Sequence, residues 1–338
     1  MNKKLIAAAI AAALAVPMAA QAEVTVYGKG HVSLDSIDNG TDSSLHVQSN
    51  SSRIGVKADY DLGDGLKAIT QMEFGFNISD KTAISADRNS FVGLSGGFGT
   101  VLAGRHDTPF KNVGRMADLF GDEVGDIRNI GDSSTGGGGG WDLRPNNVIA
   151  YASPTFAGSW SVLAAYVAED GVKDTDAQSI NAVGMAGPVK LGIAYEKHNL
   201  GTGLGDESGL RAAAQFSIGM VELVAGWSSY TDQGNISGRD STVTSLGAKF
   251  KLSGNNAIKA QWASRSNDQL TDRDATIMAV GFEHKLNKKT GVYLDYAKTN
   301  NDAAATYAVD AGGHGKEVNT VAAGKDPSVV SLGMYINF

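Results

Sequence analysis

Apolar and polar residues alternate along most of the chain from Glu23 onward. In the first run Val24, Val26, Val32 and Leu34 hold the even positions, while Thr25, Lys29, His31 and Ser33 hold the odd ones. This is the period of a two-faced strand. Ile54, Val56, Ala58 and Tyr60 then alternate with Arg53, Lys57 and Asp59. The chain turns at Leu62-Gly63-Asp64-Gly65, and Leu66, Ala68, Met72 and Phe74 continue opposite Lys67, Gln71 and Glu73. Two such runs around a short Gly-containing turn predict a hairpin. The same pattern returns in Val189, Leu191, Ile193 and Tyr195, in Val221, Leu223, Ala225 and Trp227, and finally in Val330, Leu332, Met334, Ile336 and Phe338. Single charges such as Lys190, Arg211, Glu222, Lys259, Arg265, Glu283 and Asp295 interrupt the opposite face in mid-strand.

The connections alternate as well. Short turns at 61–65, 95–98, 187–188, 253–256 and 287–290 take turns with longer polar loops at 36–50, 77–87, 168–178, 198–208, 231–241 and 301–326. Outer-membrane barrels show this asymmetry, with tight turns at one end and long loops at the other. The runs count to sixteen strands, at about 20 residues for each strand and its connection. The expected fold is therefore an all-β, sixteen-stranded antiparallel transmembrane barrel. A soluble sandwich would put larger residues on its buried face, where this chain often has Ala or Gly, and would not keep a charge in the middle of nearly every strand.

Met1-Asn2-Lys3-Lys4, the apolar stretch 5–16 and the small residues Ala20-Gln21-Ala22 have the layout of a secretory signal peptide, too short to span a membrane as a helix. The expected division is a cleaved leader over 1–22 and a single barrel domain over 23–338. The formal net charge is −7, with two of the lysines in the leader, and an acidic exported chain is no partner for nucleic acid. Cysteine is absent from the composition, so thiolate and disulfide chemistry are excluded. Gly97-Phe98-Gly99 lacks the helix of a dinucleotide fingerprint. The six histidines have no metal-ligand spacing, and no calcium loop is present. No cofactor or metal is expected.

One stretch breaks the alternation. From His106 to Leu143 there is no apolar period, four carboxylates occur at Asp118, Asp122, Glu123 and Asp126, and five glycines, Gly136 to Gly140, lie near the end. Connections longer than about 12–15 residues are usually functional or disordered. Folded into a barrel, this one would narrow the lumen and present its carboxylates there. The bland alternative is a solvated polar tip.

Several strings resemble the general diffusion porins of Gram-negative outer membranes, and they run the length of 23–338. They are Glu23-Val24-Thr25-Val26-Tyr27-Gly28, Ser52-Arg53-Ile54-Gly55-Val56-Lys57, Asp61-Leu62-Gly63-Asp64-Gly65-Leu66, Arg88-Asn89-Ser90-Phe91-Val92-Gly93-Leu94, Arg144-Pro145-Asn146-Asn147-Val148 and the terminal Phe338. The resemblance implies a homotrimer in which the third outer loop folds into each pore. It implies that Arg53, Arg88 and Arg144 line the wall facing that loop, with Arg105 and Lys57 as further candidates for the basic side. Leu102 stands where many relatives have another basic residue. The resemblance also implies that Phe338, Ile336 and Met334 form a signal for the outer-membrane barrel assembly machinery, and that the barrel meets outer-membrane lipids and lipopolysaccharide. The implied function is passive diffusion of ions and small hydrophilic solutes, with charge selectivity set by the arginines and the acidic loop. The alternatives are a substrate-preferring porin, which should show an aromatic track along its lumen, and an outer-membrane barrel enzyme, for which no Ser or Asp is paired with a His in the sequence.

Overall fold

The computed structural model describes residues 22–80, 84–131, 140–169, 171–173, 175–201, 203, 205–234, 236–310, 313–315 and 321–338. The expected signal peptide lies outside them except for Ala22, as do glycines 136–139. Seventeen strand segments form one sheet. The first, β1 (Ala22–Asp38), pairs on one side with the last, β17 (Ser328–Asn337), from Lys29 opposite Asn337 to Asp38 opposite Ser328. That ladder closes the barrel.

On its other side β1 pairs end to end with β2 (Ser43–Ser49) and β3 (Arg53–Gly63). These are two halves of one wall strand, so seventeen segments occupy sixteen positions around the barrel. The interruption lies at residues 50–52, where Ser51 adopts φ 51° and the His31 amide donates to Ser52 Oγ at 3.0 Å instead of to a ladder carbonyl. It is a β-bulge by its effect: the ladder breaks and the strand re-aims.

The alternation in the sequence becomes the two surfaces of the wall. Val92, Leu246 and Leu332 are 63%, 57% and 56% exposed, and Val24, Ile193, Val280 and Leu294 share their side of the sheet. Apolar exposure that runs around a whole sheet is far larger than water tolerates on a monomer, and lipid is the solvent that suits it. The other parity holds His31, Ser33, Asp35, Glu196, Arg211, Lys259, Arg265 and Asp295, all buried. In a closed barrel that face is the interior. Among the described residues no helix is long and apolar enough to cross a membrane.

The short turns follow from local backbone chemistry. Asp64 and Gly65 both have positive φ, 52° and 76°, the pattern of a type I′ hairpin turn between β3 and the strand Leu66–Gly75. Two boundaries differ from the expectation. Of the loop expected over 36–50, only 39–42 and Asn50 lie outside strands, because β1 runs on to Asp38 and β2 spans Ser43–Ser49. The strand expected near Arg144 begins at Val148. At 36–50 a polar-rich strand has the composition of a loop, whereas near Arg144 the polar run Arg144-Pro145-Asn146-Asn147 precedes the strand instead of opening it.

Candidate functional site

The connection between the strands Gly99–Arg105 and Val148–Ala152 has a structure of its own. A helix, α1 (Pro109–Gly114), starts where Thr108 Oγ1 accepts the Lys111 amide at 3.3 Å, with Pro109 at the start of the helix. That is the favoured chemistry of a helix N-terminus. A 3₁₀ turn (Arg115–Ala117) and a second short helix, α2 (Arg128–Gly131), follow. Phe110, Val113, Phe120, Val124, Ile130 and Trp141 are fully or almost fully buried. Burying each large side chain stabilises the arrangement by roughly 1.5–3 kcal/mol.

What buries them is the interior face of one side of the barrel. Phe110, Val113, Ala117 and Trp141 pack on Ala194, Ala213, Tyr230 and Val243, while Phe120, Val124 and Ile130 pack on Ala263, Ile277, Ala279 and Ala297. Small residues make the seat. A Cβ on Gly226 would stand 2.8 Å from Ala117 Cβ, and one on Gly247 2.9 Å from Leu119 Cδ1. Both are closer than carbon atoms pack, so a larger residue would push the segment off the wall.

Wall side chains also satisfy the segment's backbone, which has no ladder of its own. Asn181 Nδ2 donates to the Pro109 carbonyl at 2.8 Å, Lys259 Nζ to that of Leu119 at 3.0 Å, Arg265 Nη1 to that of Ile130 at 3.0 Å and Tyr230 OH to that of Gly131 at 2.9 Å. Gln261 Oε1 accepts the Leu119 amide at 2.7 Å. Arg211 donates to the Phe110 carbonyl at 3.2 Å and forms an ion pair with Asp142. A second connection adds to the clamp, since the Gly125 amide donates to the Val309 carbonyl at 3.1 Å.

The four loop carboxylates have different environments. Asp122 lies 3.6 Å from Lys29 Nζ and 3.7 Å from Arg53 Nη1, and 3.5 Å from Arg128. Lys29 and Arg53 are direct cross-strand neighbours in the β1–β3 ladder. Like charges in that position repel, and the Asp122 carboxylate between them removes the penalty. Burial pushes Asp122 up, but Lys29, Arg128 and Arg53 together outweigh it and hold the carboxyl well below its usual range. Asp126 is fully buried and bound by Arg128, which donates from its amide at 2.8 Å and its guanidinium at 2.5 Å, so that burial is again overcome and the acid is strengthened. Asp118 accepts from Gln261 at 3.0 Å and from the Phe120 amide at 2.9 Å. Burial and the neighbouring Asp126 raise it well above the ordinary value. Glu123 is ion-paired with Lys259 on the wall.

The expected basic residues are not all brought to the acidic ones. Arg53 reaches Asp122. Arg88 is paired with Glu73 of the wall, which also accepts from Tyr27 OH at 2.9 Å. Arg144 pairs at 3.0 Å with Asp107, which Lys111 also meets at 3.0 Å. Asp107 is strengthened as an acid, the effect of burial being exceeded by Lys111, Arg144 and Arg115. Arg105 is directed at the Asp87 carbonyl at 3.1 Å and Asn146 Oδ1 at 2.5 Å, and Lys57 is exposed with its ammonium 4.9 Å from the Tyr27 ring centroid. Neither of these two pairs with the four loop carboxylates. Lys29, Glu73, Asp107, Lys111, Arg115, Arg128 and Asp142 belong to the cluster without having been singled out from the sequence. Lys29 and Glu73 carried a signal, their place on the polar parity of their strands.

At the carboxyl end, Phe338, Ile336 and Met334 lie on the lipid-facing parity of β17. Gly28 and Phe338 exchange backbone hydrogen bonds at 3.1 and 3.0 Å, and the Phe338 ring lies over Gly28 so closely that a Cβ there would meet it at 2.3 Å. The last residue is part of the barrel's closing seam.

A closed antiparallel barrel with an apolar outer belt, a charged interior and a long third connection packed on that interior is an outer-membrane barrel of the porin type. The family model for the Gram-negative porin matches residues 7–333, and the chain belongs to that family. Its place is the bacterial outer membrane. Among curated relatives, major outer membrane protein P.IB of Neisseria gonorrhoeae is 35% identical over 171 residues, which are 47% of this chain and 46% of that protein. Its counterpart in Neisseria meningitidis serogroup A is 33% identical over 221 residues, 59% and 60% of the two chains. The alignments thus span about half of the curated relatives' length. Among solved structures, the anion-selective porin from Comamonas acidovorans superposes with a TM-score of 0.82 at 24% identity, covering 94% of this chain and all of that one. The trimer form of OmpT from Vibrio cholerae gives 0.71 at 17% identity, with 94% and 99% covered. These two likenesses concern the fold.

Proposed function

We propose that the chain forms a water-filled channel through which ions and small hydrophilic solutes diffuse passively, and that segment 107–131 is its constriction. Barrels of sixteen to eighteen strands are wide enough to leave an aqueous channel. The observation that carries the reading is the one-sidedness of the interior. The loop is seated against the wall from residue 179 to residue 297, and its Asp122 meets the opposite flank at Lys29 and Arg53. The flank bearing Arg53, Arg88, Arg105 and Arg144 is the side left for solutes.

Charge at such a waist sets selectivity. The cations Lys29, Arg53, Arg88, Lys111, Arg115 and Arg144 outnumber the carboxylates Asp122, Glu73 and Asp107 that they surround, whereas Asp126 and Glu123 are spent on Arg128 and Lys259. A unit charge at 4 Å is worth about 1 kcal/mol even in bulk water, so the excess favours anions by a factor of several. We further propose that three copies assemble, that residues 1–22 are a leader removed on export, that Phe338, Ile336 and Met334 are read by the barrel assembly machinery, and that the outer belt meets membrane lipid and lipopolysaccharide. Nothing in this function requires a catalytic group.

The test is planar-bilayer recording of the purified protein across a potassium chloride gradient. Conductance steps in multiples of three, with a reversal potential of anionic sign, are expected. Neutralising Asp122, Glu123 and Asp126 together should move the potential further toward anions. An unmoved potential would remove the loop from the selectivity filter, and a protein that conducts nothing would end the channel reading.

A further inference from the structure

Between the loop and the wall, on the side of the short turns, lies a cavity of about 300 Å³ that shares only Arg115 and Asp118 with the charged groups of the constriction. Asn112, Arg115, Met116, Asp118 and Leu119 of the loop form its roof, with Asp118 engaged by Gln261 and the Phe120 amide, and Lys190, Gln215, Glu222 and Val224 of the wall form its floor. Its position along the barrel follows from the ladder. Lys190 stands two residues after Pro188 of the 187–188 turn and directly opposite Gln215, while Glu222 comes two residues after Met220 of the next short turn, 219–220. All three wall residues lie on the interior parity, so the cavity sits inside the barrel near its short-turn end.

Its two cations differ from most of those that meet the loop. Lys29, Arg53, Arg88, Lys111, Arg128, Arg144, Arg211, Lys249 and Lys259 each have an ion-pair partner. Arg115 and Lys190 are exposed and make neither an ion pair nor a side-chain hydrogen bond among the described residues. Across from them Glu222 accepts from Gln215 Nε2 at 2.6 Å through one oxygen, Oε1, which orients the carboxylate. Met116, Leu119 and Val224 supply an apolar lining between the charged groups.

We propose that this cavity is a binding subsite for a small amino-dicarboxylate. Two unpaired cations match two carboxylates, the oriented Glu222 matches an ammonium group, and the apolar lining takes the short carbon chain. The volume is at the lower end for ligand pockets, which start near 300 Å³. Because both cations are solvent-exposed, each ionic contact is modest, and the subsite is a weak station that raises local solute concentration without trapping it. Conduction requires that property of any site in a pore.

The inference rests on the channel reading only for solute access, so the test measures binding without conduction. L-glutamate is titrated against the full-length protein in detergent, with saturation-transfer NMR as the readout. Native protein should bind L-glutamate more tightly than glutarate, which lacks the ammonium, or L-glutamine, which lacks the second carboxylate. Lys190→Gln and Arg115→Gln should each weaken L-glutamate by about fivefold, and Lys289→Gln, on a distant turn, should leave it unchanged. Glu222→Gln should reverse the preference so that glutarate binds better than L-glutamate. If the Arg115 variant fails to show heat-modifiable migration, the exposed wall residue Lys190 carries the test alone. Equal affinities for the three ligands, or an L-glutamate affinity indifferent to Lys190→Gln, would overturn the proposal, whatever the bilayer recordings show.

Discussion

The two sides of the barrel interior are built for opposite purposes. The wall from residue 179 to residue 297 presents Gly226, Gly247, Ala263, Ala279 and Ala297 beside hydrogen-bonding side chains such as Asn181, Arg211, Lys259, Gln261 and Arg265, and these residues hold the loop. The wall of β1, β3 and the two strands after it presents long cations that are only partly covered, and there the loop touches through Asp122. A pore needs both. Packing density fixes the position of the obstruction on one flank, and residual hydration keeps charges effective on the other, since desolvated pairs neutralise each other.

The comparison breaks most severely at Arg211. Arg211→Ala leaves Asp142 as a nearly buried carboxylate without its partner and also frees the Phe110 carbonyl. Removing one member of such a pair costs about 3–5 kcal/mol, and that loss falls on docking of the loop. Limited proteolysis should cut within the loop, and single-channel conductance should rise and become noisy. A native cleavage pattern and native conductance would show that the seat does not depend on this pair.

A smaller effect comes from the small residues. Gly226→Leu places a side chain where Ala117 already sits, and overpacking of this kind costs about 1–3 kcal/mol. The loop should shift without leaving, so conductance should change in size while its steps stay sharp. On the other flank Arg53→Gln or Arg144→Gln should leave conductance close to native and move the reversal potential toward cations, by up to about 1 kcal/mol in relative permeability for each partly exposed charge. Selectivity should also weaken between 0.1 and 1 M salt, as the Debye length falls from about 10 to about 3 Å. If the arginine variants altered loop protection and the Gly226 variant altered selectivity alone, the assignment of the two flanks would be reversed.

The smallest effect is in the pH dependence of stability. Asp107, Asp122 and Asp126 are held below their ordinary values, so each adds stability that is fully present above the unfolded carboxyl value, about 3.9. That stability is lost only as pH falls through the depressed native values. Asp118 is raised, and its sign is opposite: its contribution is most favourable below about pH 3.9 and declines as pH rises toward its native value. Asp118→Asn keeps an acceptor for Gln261 and the Phe120 amide. Its melting temperature should exceed that of the native protein at pH 7 and match it near pH 4. An equal difference at both pH values would mean that Asp118 is not the destabilising charge.

The wall was legible residue by residue because a strand's side chains alternate strictly, so that Val24, Val26 and Leu34 against Lys29, His31 and Ser33 already specify which face meets lipid. The misplaced boundaries fall at 36–50, where only Leu45 and Val47 mark the lipid face of a short strand among polar residues, and at Arg144-Pro145-Asn146-Asn147, a polar run that precedes the strand. The loop was legible as an anomaly only. Its length and carboxylates marked it, but Asp126 was indistinguishable from Asp122 by type, and one became a buried partner of Arg128 while the other bridged Lys29 and Arg53.

Sequence alone therefore determined the alternating wall, its approximate strand count, the end that bears the short turns and the connection that carries the acidic group. The tertiary structure decided where that connection rests and which charges remain uncovered. The physical reason is range. Strand faces and tight turns are set by neighbours a few residues apart, whereas the loop's backbone is satisfied by Asn181, Lys259 and Arg265, which lie 72, 140 and 135 residues away in the chain and come within reach only when the barrel closes.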